Sequence, residues 1–136
     1  MSSGILSRSK YTNTKSRKYL VIGSYSTLTM EYRILEADNP DGEFRVFQPR
    51  VRGLEYGISH YKDHFYVMSN KDASINFKLS KTPEDKTGME HWEDIIPHRP
   101  DVLLEDTEIF KDFLVLSERA NGLNKIRIKI SIFLIY

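Results

Sequence analysis

A chain of 136 residues is one ordinary domain or a slice of a larger one, and 40% apolar with 12% aromatic content can form a core, which argues against disorder. Twenty basic against nineteen acidic side chains leave a formal net charge of +1, too little to gather nucleic acid or acidic lipid by bulk field. The lack of cysteine removes disulfides, thiolate nucleophiles and Cys-based zinc sites, and agrees with a reducing, cytoplasmic compartment.

Residues 1–18 are rich in Ser, Thr, Lys and Arg and contain no apolar run of signal-peptide length. Arg8, Lys10, Lys15, Arg17 and Lys18, with Tyr11 and Tyr19 interleaved, read as a solvated terminus and turn rather than a phosphate-binding surface. The first strand unit then carries strands over 19–24, 30–37 and 44–48, the last two separated by the turn-forming Asp38-Asn39-Pro40-Asp41-Gly42. Its inner strand is expected to be mostly lost, with Ile5 to Arg8 as the only remnant.

The second unit is expected to be complete, with an inner strand over 54–61, then 64–70, 75–81 and an outer strand over 92–97. The third has strands over 103–110 and 113–118 and from Lys125 onward, and lacks an outer strand. The three units are assigned to 1–49, 50–101 and 102–136. At the C-terminus Ile126, Ile128, Ile130, Ile132 and Leu134 alternate with Arg127, Lys129 and Ser131, a strand pattern. That run is too short for a membrane helix, which needs about 20 residues.

The three units repeat a common plan. Tyr19-Leu20-Val21-Ile22-Gly23-Ser24, Phe65-Tyr66-Val67-Met68-Ser69-Asn70 and Phe113-Leu114-Val115-Leu116-Ser117-Glu118 each begin with an aromatic residue. Their starts are 46 and then 48 residues apart. A period of that length, with strand signals and no helical periodicity, marks propeller blades, each a four-stranded antiparallel sheet. The expected fold is therefore all-β, a partial β-propeller of about two and a half blades. Closed propellers use about four to eight blades, so the outer units should expose apolar faces, to be covered by a longer parent or by self-association through open blade edges.

Few residues suggest chemistry. Gly57-Ile58-Ser59-His60-Tyr61 approaches a nucleophile elbow, but Tyr stands where the second Gly belongs and a hairpin turn follows. His60 and His64 flank that turn, and His91 and His98 flank the outer strand, with no carboxylate cluster to complete a metal site. Glu84-Asp85, Glu105-Asp106 and Glu108 read as solvated charges without an acid and base pairing. No catalytic, metal-binding or cofactor-binding residue is expected. The connections between second and third strands, 25–29, 71–74 and 119–124, are better candidates for binding, since propeller loops cluster on two faces. Lys71, Asp72, Arg119 and Asn121 are the polar positions that stand out there.

Longer strings carry a family resemblance. Glu31-Tyr32-Arg33-Ile34-Leu35-Glu36-Ala37-Asp38, His60-Tyr61-Lys62-Asp63-His64 running into the Phe65 strand, and Trp92-Glu93-Asp94-Ile95-Ile96-Pro97 resemble the propeller of the oligopeptidase B (protease II) branch of the prolyl oligopeptidase family. So do Val102-Leu103-Leu104-Glu105 and the Phe113 strand with Arg119, Gly122 and Leu123. The resemblance runs from about Lys15 to Ile128 and departs from the family at both ends. It implies a parent in which a seven-bladed propeller caps a hydrolase domain carrying a Ser, Asp and His triad and cleaving short peptides after Arg or Lys. None of that machinery falls in this chain. In such a parent the second-to-third strand loops face the hydrolase domain and gate peptide entry, with Tyr25, Thr27 and Leu28 as the matching positions in the first unit. The implied partners are the hydrolase domain and, in the full enzyme only, a peptide substrate; no nucleic acid or membrane is expected. A rival expectation is a stand-alone β-sheet interaction module without a peptidase role.

Overall fold

Apolar and polar residues alternate with period two in each aromatic-led stretch, and each becomes the second strand of an antiparallel sheet. The computed structural model describes residues 8–111 and 113–130, with the backbone alone for 8–10. The first sheet comprises β1 (Arg8–Asn13), β2 (Tyr19–Tyr25), β3 (Met30–Glu36) and β4 (Arg45–Val46), hydrogen-bonded in that order. The second comprises β5 (Tyr56–Tyr61), β6 (His64–Ser69), β7 (Lys78–Pro83) and β8 (Glu93–Ile96). The third comprises β9 (Leu103–Ile109), β10 (Phe113–Ala120) and β11 (Leu123–Ile130). The fold is all-β and matches partial propeller blades, as the sequence implies. Single 3-10 turns occur at Lys71–Ala73 and Met89–His91.

One expectation is corrected. The first sheet has a paired inner strand: β1 runs in register with β2 from Arg8↔Tyr25 to Asn13↔Leu20. Its polar composition hid it, because an edge strand with one hydrogen-bonded neighbour needs no apolar alternation, and Tyr11 is 74% exposed. The segment 5–7 and the tail 131–136 lie outside the described residues.

The sheets stack through two apolar seams. Tyr19, Val21, Ile34 and Phe47 of the first sheet meet Tyr56, Phe65, Val67 and Trp92 of the second. Tyr66, Leu79 and Ile96 of the second meet Leu104, Ile109, Leu114 and Leu116 of the third. Strand β6 serves both seams, so Phe65, Tyr66 and Val67 are buried in succession. Strands β2 and β10 bury alternate residues only. Edge-to-face packing of Phe47 on Phe65, with centroids 5.1 Å apart, and tilted packing of Tyr19 on Phe65 at 4.9 Å fix the first seam.

The outer face of the third sheet is open. Pairing of Phe113 with Ile130, Val115 with Ile128 and Ser117 with Ile126 puts these residues on one face, and the three isoleucines are 59 to 68% exposed. The hairpin between β10 and β11 is a two-residue turn, Asn121-Gly122, with φ of 53° and 74°, the left-handed pair that matches strand twist.

Two outcomes are expected in urea unfolding. Phe65→Ala should destabilise the chain by about 3–5 kcal/mol, whereas Ile128→Ser should shift stability by less than about 0.5 kcal/mol. Asn121→Ala, which keeps a Cβ in the left-handed region but loses the local hydrogen bonding by which Asn tolerates it, should cost about 1 kcal/mol, and Asn121→Gly should be near neutral.

Candidate functional site

Antiparallel pairing places the first-to-second strand turns at one end of the stack and the second-to-third strand loops at the other. At the latter end the loop after β2 closes on itself: the Ser26 amide donates to the Thr29 carbonyl at 2.8 Å, and the Ser26 and Thr29 hydroxyls lie 2.8 Å apart. Arg50 clamps its base, donating to Thr29 Oγ1 and Ser24 Oγ, both at 2.8 Å. Tyr25 stands edge-on to Tyr32 at 6.0 Å and donates its hydroxyl to the Tyr32 hydroxyl at 3.2 Å. Burial pushes the phenols of Tyr32 and Tyr56 well above the usual tyrosine range, so both stay neutral hydrogen-bonding groups.

The corresponding loop of the second sheet is conformationally strained. Asp72, Ala73 and Phe77 all have φ near +60°, which non-glycine residues adopt only when their surroundings enforce it. The enforcing contacts are visible. Asn70 accepts the Glu55 amide at 2.8 Å and donates to the Gly53 carbonyl at 3.0 Å. Lys78, 5% exposed, reaches Asp72 and Asp94, each at 3.2 Å. Salt links to Lys71 and Lys78 hold the Asp72 carboxyl below the usual carboxylate range.

Two open cavities of about 330 Å³ each lie side by side at this end and share Gly53 and Leu54. Tyr25, Thr27 and Leu28 line one, and Lys71 and Asp72 line the other. Five of the seven sequence-derived positions therefore fall on one continuous surface. Arg119 and Asn121 line neither cavity: Asn121 forms the tight hairpin turn, and Arg119 is held by Glu105 at 3.1 Å and Asn124 at 3.1 Å. Leu28 and Ile75 are exposed at this end, Ile75 by 77%.

The histidines do not converge. His60 faces the first seam, whereas His64 pairs with the exposed Asp63 at 2.9 Å. Among the described residues no group of three or more His, Asp or Glu side chains is arranged to hold a metal ion. Two polar relays went unread in the sequence. Ser16 Oγ lies 2.7 Å from His60 Nδ1, and His60 Nε2 lies 2.6 Å from Glu84, which Lys18 also binds at 2.8 Å. At the second seam Glu118, 6% exposed, accepts from Arg99, in the segment between β8 and β9, and from Arg127 of its own sheet, the latter at 3.0 Å. Ser16 and Glu84 stand 44 and 24 residues from His60, and Arg99 and Arg127 stand 19 and 9 residues from Glu118, with no local motif to announce either group.

Comparison with known proteins places this geometry. The family model of the prolyl oligopeptidase N-terminal β-propeller domain matches residues 6–130. Dipeptidyl aminopeptidase BI of Pseudoxanthomonas mexicana is 37% identical over 115 residues, 85% of this chain and 16% of that protein. Protease 2 of Moraxella lacunata is 24% identical over the same shares of each chain. Among solved structures, oligopeptidase B from Trypanosoma brucei, in a closed form with covalently bound antipain, superposes with a TM-score of 0.79 at 28% identity, covering 90% of this chain and 18% of that one. Oligopeptidase B from Leishmania major has the same fold, with a TM-score of 0.81 at 22% identity over 91% of this chain and 18% of that one. The chain thus spans about one sixth of the length of the curated relatives it matches. It belongs to the prolyl oligopeptidase family, as part of that family's N-terminal β-propeller domain.

Proposed function

We propose that this chain is a non-catalytic propeller segment of a serine endopeptidase of the oligopeptidase B kind, which hydrolyses short peptides after basic residues in the cytoplasm. The observation that carries this reading is the family match across residues 6–130. In full-length relatives the propeller domain sits with a peptidase hydrolase domain. The end bearing Tyr25, Thr27, Leu28, Lys71 and Asp72 is the surface assigned to that domain, because it combines exposed apolar side chains, shallow cavities and loops held in place by buried contacts. A stacked set of sheets over an active site would admit flexible peptides and exclude folded proteins. Arg119 and Asn121 would lie on the same end of the third blade, outside the two cavities.

A second reading draws on the exposed row Ile126, Ile128 and Ile130. Such a face suits a stand-alone interaction module that binds another sheet.

The test is a graft. The chain replaces the matching segment of the Pseudoxanthomonas mexicana relative, and hydrolysis of arginyl and alanyl p-nitroanilide peptides is compared. A folded chimaera that cleaves the arginyl peptide, beside an isolated chain that cleaves neither, supports the reading. A folded but inactive chimaera, or turnover by the purified isolated chain, contradicts it.

A further inference from the structure

The first seam is closed at its turn end by a relay rather than by apolar packing. The His60 side chain is only 1% exposed, yet both ring nitrogens are engaged. Nδ1 meets Ser16 in the turn between β1 and β2, and Nε2 meets Glu84 in the connection after β7. Glu84 returns to the first sheet through both carboxylate oxygens, which accept from Lys18 at 2.8 and 3.0 Å, and through its carbonyl, which accepts from Arg45. The ring packs edge-on against Tyr19 at 5.0 Å and Phe65 at 4.9 Å, which closes it off from water.

This geometry fixes the protonation pattern. An ionised Glu84 accepts only, so the imidazole proton sits on Nε2 and the Nδ1 lone pair accepts from the Ser16 hydroxyl. A second proton would turn Nδ1 into a donor, reverse the Ser16 hydrogen bond and put a buried cation beside the Lys18 ammonium. We propose that the Ser16, His60, Glu84 and Lys18 relay is an acid-released clasp, in which protonation of His60 frees the turn 14–18 from the second sheet and loosens that end of the seam. The apolar packing of Phe47, Phe65 and Tyr56 is untouched by the proton and keeps the sheets together. The released turn is a local opening rather than global unfolding.

The direction of the pH effect follows from the two titrating partners. Burial lowers the His60 pKa, and the Glu84 carboxylate offsets this only in part. The His60 contribution is therefore complete above the ordinary value of 6.5 and is lost as pH falls through the lower folded-state value. For Glu84, burial acts upward, but hydrogen bonds from Lys18 and His60 outweigh it and hold the carboxyl below 4.5; its contribution persists above 4.5 and is lost below. Between 6.5 and 4.5 the loss belongs to His60. The other charged groups around the ring are Lys15 and Arg45 on the first sheet, Lys62 and Asp63 on its own sheet and Lys111 on the third, and the Tyr19 phenol beside it is neutral, its pKa raised by burial.

The test is amide hydrogen exchange of the whole chain, corrected for intrinsic rates, at several pH values between about 7.5 and 5. Protection of residues 14–18 is expected to fall severalfold as pH drops below 6.5, while Phe65 and Val67 keep theirs. In His60→Gln, whose amide offers a donor and an acceptor without titrating, protection at 14–18 should not change with pH. An equal fall in His60→Gln overturns the proposal. If that variant does not fold, NMR titration of the His60 ring in the native chain decides: a midpoint below 6.5 with parallel shifts at Ser16 supports the clasp, and a midpoint at or above 6.5 overturns it.

Discussion

The burial of both faces of β6 is the constraint on which the rest of the structure depends. Phe65 and Val67 point to the first sheet and Tyr66 to the third, so neither face of the middle sheet can meet water without losing the apolar contacts that order it. A four-stranded sheet with two apolar faces has no stable free form. It requires a neighbour on each side, and each neighbour then carries an outward face of its own. Fully buried side chains reside at these seams, Phe47 and Phe65 in the first and Leu79, Leu104, Leu114 and Leu116 in the second. The isoleucine row of β11 is the same requirement still open at the third sheet.

Polar groups set the angle and spacing that apolar contacts leave free. In the first seam His60 and Glu84 tie one end, while the Tyr56 hydroxyl accepts the Tyr32 amide at 3.3 Å toward the other. In the second, Asn76 donates to the carbonyls of Arg99 and Pro100 and accepts the Leu104 amide, and the Glu118 carboxylate binds two arginines. Buried charges of this kind add little net stability, and the Ser16–His60 and Lys18–Glu84 contacts join the first sheet to the second. The seam geometry in turn fixes the second-to-third strand loops, so that separate blades contribute to one surface. The left-handed Asp72 and Ala73 line that surface; Lys78 of β7 binds the Asp72 carboxylate, and the carbonyl of Asn70, just past β6, accepts the Ser74 amide.

The repeat was legible because its signal lies in strands that must be apolar. The stretches led by Tyr19, Phe65 and Phe113 fall in β2, β6 and β10. Strand β1 was illegible, since its residues Arg8, Ser9, Lys10 and Thr12 carry no apolar alternation and its pairing is a backbone matter. Ile75-Asn76-Phe77 has the composition of a strand, yet β7 begins at Lys78 because left-handed residues turn the chain before it. The shared location of five candidate loop residues was legible from strand order alone, since they line two adjoining cavities. The Ser16, His60 and Glu84 relay was not, because its members meet only when two sheets stack.

The most direct measurement is residue-resolved amide exchange of the native chain at neutral pH. Two-sided burial requires the amides of β6 that lie in both ladders to be the slowest, those of β2 and β10 to exchange faster, and those of β1 and β11 to exchange fastest. That order supports a middle sheet on which both neighbours depend. Protection that is uniform across the three sheets, or greatest in β10 and β11, would show that the third sheet is stable without the second and would contradict it.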